Sequence, residues 1–195
     1  MRVVWLTLLG PDFDAYDLEN FDNQAADPAS PNTPPHACDE ADPACDRTHF
    51  NAIVTEQELE ESFLPPFTHG CVASGSAKSI MCSYNAVNGV PSCANAHLNN
   101  EVLRDKWQFD GYIVSDCGGV SCIEDSHHYT NTTAATCAAG LHGGCDRDCG
   151  SYYGKCADAA ATGQAGLKET DIDTALRRVF SVRFATGEFE PDPTS

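Results

Sequence analysis

Lysine and arginine are scarce in this chain of 195 residues, which has 11 of them against 29 aspartates and glutamates. The formal net charge of -18 repels phosphate backbones, so a nucleic-acid-binding function is excluded on electrostatic grounds. The sequence also contains no apolar run long enough to span a bilayer. We therefore predict neither a nucleic-acid partner nor a membrane partner.

Motifs for nucleotides and for zinc are missing as well. No Gly-x-Gly-x-x-Gly follows a predicted strand and no Gly-Lys-Ser/Thr occurs, which argues against nucleotide, flavin or nicotinamide enzymes. Cys-x-x-Cys is absent, and the Cys145/Cys149 spacing has no matching second pair or histidine pair. We therefore predict a protein without a cofactor and without a metal.

Cysteine, in contrast, is abundant, with 11 residues in a short chain. Without zinc spacing, this abundance indicates disulfides and an oxidising compartment, so we expect an extracellular, secreted protein. The count is odd, so at least one thiol is left over or pairs outside the chain. An N-glycosylation sequon at Asn131 agrees with secretion. The apolar run from Val3 to Leu9 is short and lacks a small-x-small cleavage site, so it is not a convincing signal peptide.

The order of predicted elements is typical of a parallel α/β fold. Residues 22–46 hold five prolines without apolar periodicity and indicate a loop. After this loop, buried strands alternate with helices, which is compatible with a barrel or an open sheet. The predicted strands cover 79–84 and 112–116. One predicted helix starts at Thr55 and is ended by Pro65-Pro66, two more cover 96–107 and about 132–139, and the last helix is predicted to be capped by Thr170.

Both predicted strands end in a polar residue, Tyr84 in one and Asp116 in the other. In barrels, catalytic residues lie at the carboxyl ends of strands. Glycosidases need a carboxylate at such a rigid position, paired with a second carboxyl group across the scissile bond. From pattern alone, Asp116 fits this function and equally fits a cap for the helix that follows.

Two long motifs run from Met81 to Cys93 (MCSYNAVNGVPSC) and from Leu103 to Cys117 (LRDKWQFDGYIVSDC). Both resemble glycoside hydrolase family 3, in its β-xylosidase/β-glucosidase branch. Segments 15–20, 50–67 and 170–189 also resemble this branch. The resemblance implies a partial (β/α)8 TIM-type barrel over residues 13–190, roughly the C-terminal half of the family's N-terminal barrel domain. Residues 1–12 are interpreted as a mis-set start or non-family segment, and 191–195 as a tail.

The resemblance also implies roles for individual residues. Asp116 matches the nucleophile of a retaining mechanism, while Tyr84 and Met81 match positions that line the sugar pocket. Glu19 lies in a segment near that pocket and is either a ligand of a sugar hydroxyl or a surface carboxylate. The alternatives are a strand-end aromatic for Tyr84 and plain core packing for Met81. His127 and the next histidine are predicted to be surface residues.

Cys117 bears on the choice of substrate. Members of this family with cysteine after the nucleophile resemble β-xylosidases, whereas those with tryptophan resemble β-glucosidases. The resemblance implies that Cys117 pairs with Cys149 and that the bridge narrows the pocket against the hydroxymethyl group of glucose. The expected partner is therefore a β-linked xylo- or gluco-oligosaccharide, with xylosides favoured.

The chain departs from the family pattern in ways that affect activity. Pro11-Asp12 stand where the family has a sugar-binding Lys-His pair. The first half of the barrel is absent, and the family's acid/base glutamate belongs to a following domain. We therefore expect a poorly active fragment of a β-xylosidase. The alternatives are a β-glucosidase, a carbohydrate-binding remnant and a cysteine-rich secreted structural protein.

Overall fold

The computed structural model describes Phe13, Ala15 and residues 47–190. The predicted segments 1–12, 22–46 and 191–195 lie outside these residues. None of the described helices combines the length and the apolar character that crossing a bilayer requires.

Short strands and helices alternate along the described part of the chain. The strands are β1 (Asn51–Ala52), β2 (Ser79–Cys82), β3 (Ala86–Val87), β4 (Val90–Pro91) and β5 (Tyr112–Ser115). The helices are α1 (Glu56–Glu58, continued by a π-helical turn over Leu59–Phe63), the π-helical α2 (Pro66–Ser74) and α3 (His97–Lys106), α4 (Gly119–Asp125), α5 (Thr133–His142), α6 (Ala157–Thr162) and α7 (Glu169–Ala185). Short 3-10 turns lie at Ser92–Ala94, Tyr152–Lys155 and Gln164–Gly166.

Parallel pairing organises the centre of the structure. Strands β2 and β5 pair in parallel, with Ser79 opposite Tyr112. Phe13 forms a parallel bridge to β2, and Arg147 forms a parallel bridge to β5. Four successive parts of the chain therefore lie side by side in chain order, which is the neighbour relation of a barrel. The predicted α/β class is confirmed, while the partial (β/α)8 barrel stays a prediction.

The two central strands bury one face against the helices. Ile80 and Ile113 are buried on that face, and Met81 and Val114 on the other face are only half-buried. This alternation follows from the two-residue period of a strand. The helix layer over the buried face is apolar, and its most deeply buried large residues are Leu98, Leu103, Val120, Ile123 and Leu167.

Thr55 starts α1, and the two prolines end this helical segment, as the sequence predicts. Thr55 forms a capping box, because its hydroxyl accepts the N–H of Glu58 at 3.2 Å and the Glu58 carboxylate accepts the N–H of Thr55 at 2.7 Å. The π-helical turn after α1 ends at Phe63, and α2 begins at Pro66, where proline at the first helical position leaves no bond unmade. The prolines therefore end one helix and start the next.

The predicted cap of α7, Thr170, is wrong by two residues. The helix begins at Glu169 with Lys168 as its cap residue. The carboxylate of Asp171 accepts the N–H of Lys168 at 2.8 Å, which satisfies a free backbone N–H two residues before the predicted cap. An aspartate in the first turn also suits the positive end of the helix dipole.

Asp146 ties three parts of the structure together. Its carboxylate lies 2.5 Å from the Arg104 guanidinium on α3 and 2.9 Å from that of Arg178 on α7. It also accepts the N–H of Ile113 on β5 at 2.8 Å. Because its side chain is only 1% exposed, this anion is held entirely by protein donors.

The described residues form three disulfides. They join Cys82 to Cys93, Cys117 to Cys149, and Cys137 to Cys156. The last of these connects α5 to the residue just before α6. Covalent links between separate elements favour the interpretation of an oxidising environment.

Candidate active site

Asp116 directly follows β5, and its backbone is held on both sides. Its N–H donates to the carbonyl of Cys82 at 2.9 Å, and its carbonyl accepts the N–H of Gly119 at 2.8 Å. The residue that caps α4 is Gly118, with a φ of 88° and no side-chain cap. Asp116 therefore does not cap α4, which was the alternative function predicted for it. Its carboxylate accepts the N–H of Cys117 at 2.5 Å and is half-buried.

Tyr84 comes from the end of the neighbouring strand and reaches the same place. Its hydroxyl donates to the carbonyl of Cys117 at 2.8 Å, and the residue is 8% exposed. Burial first, then a hydrogen bond to Asp116 and that residue's negative charge, raise the pKa of Tyr84 above its ordinary value. The phenol therefore stays protonated and remains a hydrogen-bond donor beside the Asp116 carboxylate.

Two residues not predicted to belong to the site contact Tyr84. The guanidinium of Arg47 lies over its ring, 4.7 Å from the centroid. The Nε2 atom of His127 is 2.8 Å from the Tyr84 carbonyl, and burial lowers the pKa of this imidazole. The surface position predicted for His127 is wrong, because the ring is half-buried against the end of β2, whereas His128 is exposed as predicted. His127 and Tyr84 are 43 positions apart in the sequence, so no spacing pattern could have predicted this contact.

The Cys117–Cys149 disulfide lies immediately beside Asp116. The N–H of Gly118 donates to the carbonyl of Cys149 at 2.7 Å, and the N–H of Cys149 donates to Oγ of Ser115 at 2.9 Å. The bridge and these bonds join the loop after β5 to the loop after Arg147. Cys117 itself is exposed, so the bridge forms part of the solvent-facing rim next to the carboxylate.

Met81 and Glu19 are the two remaining residues that were predicted to line the site. Met81 is half-buried on the strand face opposite Ile80, one residue before the end of β2 and three before Tyr84. Glu19 lies outside the described residues. Within the described part of the chain, the potential metal ligands that converge in threes are cysteine sulfurs, not carboxylates or histidines around Asp116.

Comparison with known proteins identifies the fold family. The sequence profile of the glycosyl hydrolase family 3 N-terminal domain matches residues 44–182. Probable beta-D-xylosidase 7 of Arabidopsis thaliana is 46% identical over 145 residues, which are 74% of this chain and 19% of that protein. Beta-xylosidase/alpha-L-arabinofuranosidase 2 of Medicago sativa subsp. varia is 40% identical over 148 residues, or 76% of this chain and 19% of that protein. The chain thus spans about a fifth of the length of these relatives.

Solved structures agree with the sequence relatives. A family 3 exo-beta-xylosidase in complex with a xylobiose aziridine probe has a TM-score of 0.69 and 37% identity, covering 76% of this chain and 20% of that one. A beta-glucosidase from Listeria innocua has a TM-score of 0.65 and 26% identity, covering 73% of this chain and 19% of that one. These likenesses support a TIM-barrel-like α/β fold. With its profile match covering residues 44–182, the chain belongs to glycosyl hydrolase family 3.

Proposed function

We propose that Asp116 is the nucleophile of a site that hydrolyses β-linked glycosides with retention, and that terminal xylose is the preferred sugar. One observation carries this proposal: the Asp116 carboxylate is fixed at the carboxyl end of β5 with the protonated Tyr84 hydroxyl beside it. A carboxylate that is rigid, partly exposed and supplied with a neutral donor is suited to attack at an anomeric carbon.

The chemistry follows from the charges of these groups. An Asp116 oxygen bonds to the anomeric carbon while the bond to the leaving oxygen breaks, which gives a covalent glycosyl ester. Water then displaces the carboxylate and restores it. The Tyr84 hydroxyl holds the residue next to Asp116 by donating to the Cys117 carbonyl, and, being neutral, it adds no charge that would compete with the oxocarbenium-like transition state. Met81 and Glu19 are proposed to contact the sugar.

A proton donor for the leaving oxygen is the second requirement. The resemblance to family 3 implies that this donor is a glutamate of a following domain. General acid catalysis contributes about 10²–10⁴-fold to such a reaction. Substrates whose leaving group needs no proton are therefore the sharpest probes of Asp116 in this chain.

The preference for xylose rests on the Cys117–Cys149 bridge beside Asp116. Xylose lacks the hydroxymethyl group of glucose, so a pocket narrowed at this rim accepts xylose and excludes glucose. A β-glucosidase is the second candidate, because solved beta-glucosidases also resemble this chain. The three disulfides of the described residues also support secretion as part of this proposal.

Covalent trapping tests the function directly. We expect 2,4-dinitrophenyl 2-deoxy-2-fluoro-β-xyloside to label the protein once, because dinitrophenolate leaves without a proton and fluorine slows hydrolysis of the ester. Tandem mass spectrometry of tryptic peptide 107–147 should place the added mass on Asp116. The glucose-configured analogue should label more slowly. A label on another carboxylate, or equal labelling by both sugars, would contradict the proposal. Xylobiose binding by calorimetry without any label would instead support a binding protein.

Opening the bridge should change the choice of sugar. In the double variant Cys117→Ser/Cys149→Ser, we expect the ratio of xyloside to glucoside labelling to fall about tenfold, because one excluded hydroxymethyl group is worth about 1–3 kcal/mol. The ratio is measured from the two labelling rates at matched probe concentrations. The matched control is Cys137→Ser/Cys156→Ser, which removes a disulfide between helices and should leave the ratio unchanged. An unchanged ratio in the first variant would refute the role of the bridge in specificity.

A further inference from the structure

Three buried sulfur atoms meet behind the candidate active site. Cys82 and Cys93 form a disulfide, and the thiol of Cys145 lies 3.8 Å from the sulfur of Cys82. The three sulfur atoms all lie within 4.8 Å of one another. None of these residues is more than 1% exposed. We call Cys82, Cys93 and Cys145 the sulfur cluster.

The three residues of the sulfur cluster come from separate elements of the fold. Cys82 alternates with Met81 on β2 and therefore points into the layer between the strands and the helices. Cys93 lies in the 3-10 turn that follows the β3–β4 hairpin. Cys145 precedes the Arg147 bridge to β5, and its thiol donates to the Arg147 carbonyl at 3.4 Å.

We propose that the sulfur cluster is a thiol–disulfide exchange site in which Cys145 and Cys93 compete for Cys82. The Cys145 thiolate attacks the sulfur of Cys82, and a Cys82–Cys145 bond forms as the Cys82–Cys93 bond breaks. Cys93 leaves as a thiolate and takes up the proton that Cys145 lost. One disulfide and one thiol are present before and after, so the step needs neither an oxidant nor a reductant.

The rate of this exchange depends on the pKa of the Cys145 thiol, which its surroundings determine. Burial raises the pKa of the Cys145 thiol to about 12. The Tyr153 side chain hydrogen-bonds the Cys145 thiol and lowers its pKa, whereas the carboxylates of Asp146 and Asp148 raise that pKa. The Arg104 guanidinium also faces the thiol. Because the thiolate is the attacking species, the exchange should be slow near neutral pH and accelerate about tenfold per pH unit below that pKa.

Tryptic cleavage separates the two pairings cleanly. Cys82 and Cys93 fall in the single peptide 79–104, so their disulfide is an internal loop of that peptide. Cys145 falls in peptide 107–147. That peptide also holds Cys117, Cys122 and Cys137, and the other two disulfides join it to peptides 148–155 and 156–168. A new link to peptide 79–104 therefore reports the exchanged pairing when fragmentation places it on Cys145, and the same spectra show whether Cys82 or Cys93 is the partner.

The experiment incubates the folded protein at about pH 7 and about pH 9, stops exchange with acid and maleimide, and maps peptides without reduction. We expect a Cys82–Cys145 link that forms about a hundredfold faster at the higher pH. Cys145→Ser should abolish the link, and the matched control Cys71→Ser, a free thiol outside the sulfur cluster, should leave it unchanged. No link at either pH would overturn the proposal, as would a link that survives Cys145→Ser.

A second variant tests whether Cys82 and Cys145 can pair without depending on the rate of wild-type exchange. Cys93→Ser removes the competing partner, so oxidised glutathione should drive Cys82 and Cys145 into a disulfide. Thermal unfolding followed by circular dichroism confirms that the variant folds. Folded Cys93→Ser protein in which maleimide still modifies both Cys82 and Cys145 after oxidation would show that these sulfur atoms cannot pair.

Discussion

Asp116→Asn abolishes covalent labelling by the fluorinated xyloside if Asp116 is the nucleophile. The amide has nearly the same shape and can still accept the N–H of Cys117, but it cannot form a stable glycosyl ester. Removal of a covalent nucleophile costs up to about 10⁶-fold in rate, so no label should appear on the time scale of wild-type trapping. The measurement is the mass of the intact protein against time.

The matched control for this variant is Asp125→Asn. Asp125 lies in the same tryptic peptide, is exposed, and loses the same charge. It should label at the wild-type rate with the label still on Asp116. Persistent labelling of Asp116→Asn on a different residue would show that another carboxylate is the nucleophile. Calorimetry with xylobiose separates lost chemistry from lost binding, since the amide should leave binding largely intact.

Asp146→Ala is expected to lower the free energy of unfolding by about 3–5 kcal/mol. The change leaves the Arg104 guanidinium, which is 9% exposed, without the carboxylate that compensates its burial. Burial already lowers the pKa of Arg104, and the charge of Asp146 opposes that effect. The variant also removes the carboxylate that accepts the Ile113 N–H, and it breaks the ion pair of Arg178. Urea denaturation followed by tryptophan fluorescence measures the loss.

Asp110→Ala is the comparison for this stability experiment. Asp110 pairs with Lys78, but its side chain is 73% exposed, and exposed ion pairs contribute about 0–1 kcal/mol. Both variants remove one carboxylate, but Asp146→Ala breaks two ion pairs and a backbone hydrogen bond, whereas Asp110→Ala breaks one exposed ion pair. The difference between their losses therefore reports the contribution of the whole buried network around Asp146. Equal losses in the two variants would contradict a central role for Asp146. Asp146→Asn, which keeps the volume, should fall between alanine and wild type.

The parts of the fold that could be predicted from sequence are those set by local signals. The helix start at Thr55 and the polar residues that follow β2 and β5 each depend on a few neighbouring residues. The parallel α/β class followed from the repeated strand and helix order. The motif around Asp116 supported the family, and the profile match over residues 44–182 confirms it.

What could not be predicted depends on contacts between distant segments. Asp146 meets Arg104 across 42 residues and Arg178 across 32, and no periodic pattern marks either pair. The same holds for His127 against Tyr84 and for Cys145 against Cys82. The wrong cap at Thr170 has a different cause. Two plausible first-turn patterns overlap there, and the carboxylate of Asp171 favours the earlier one.

The disulfide beside Asp116 has a practical consequence for anyone who produces this protein. A bacterial cytosol keeps thiols reduced, so material made there would emerge with Cys117 and Cys149 unjoined and with the loop after β5 untethered. Protein exported to the periplasm, or secreted by yeast, would carry the tether. Two laboratories that express the same gene in these hosts would be assaying different rims around the same carboxylate.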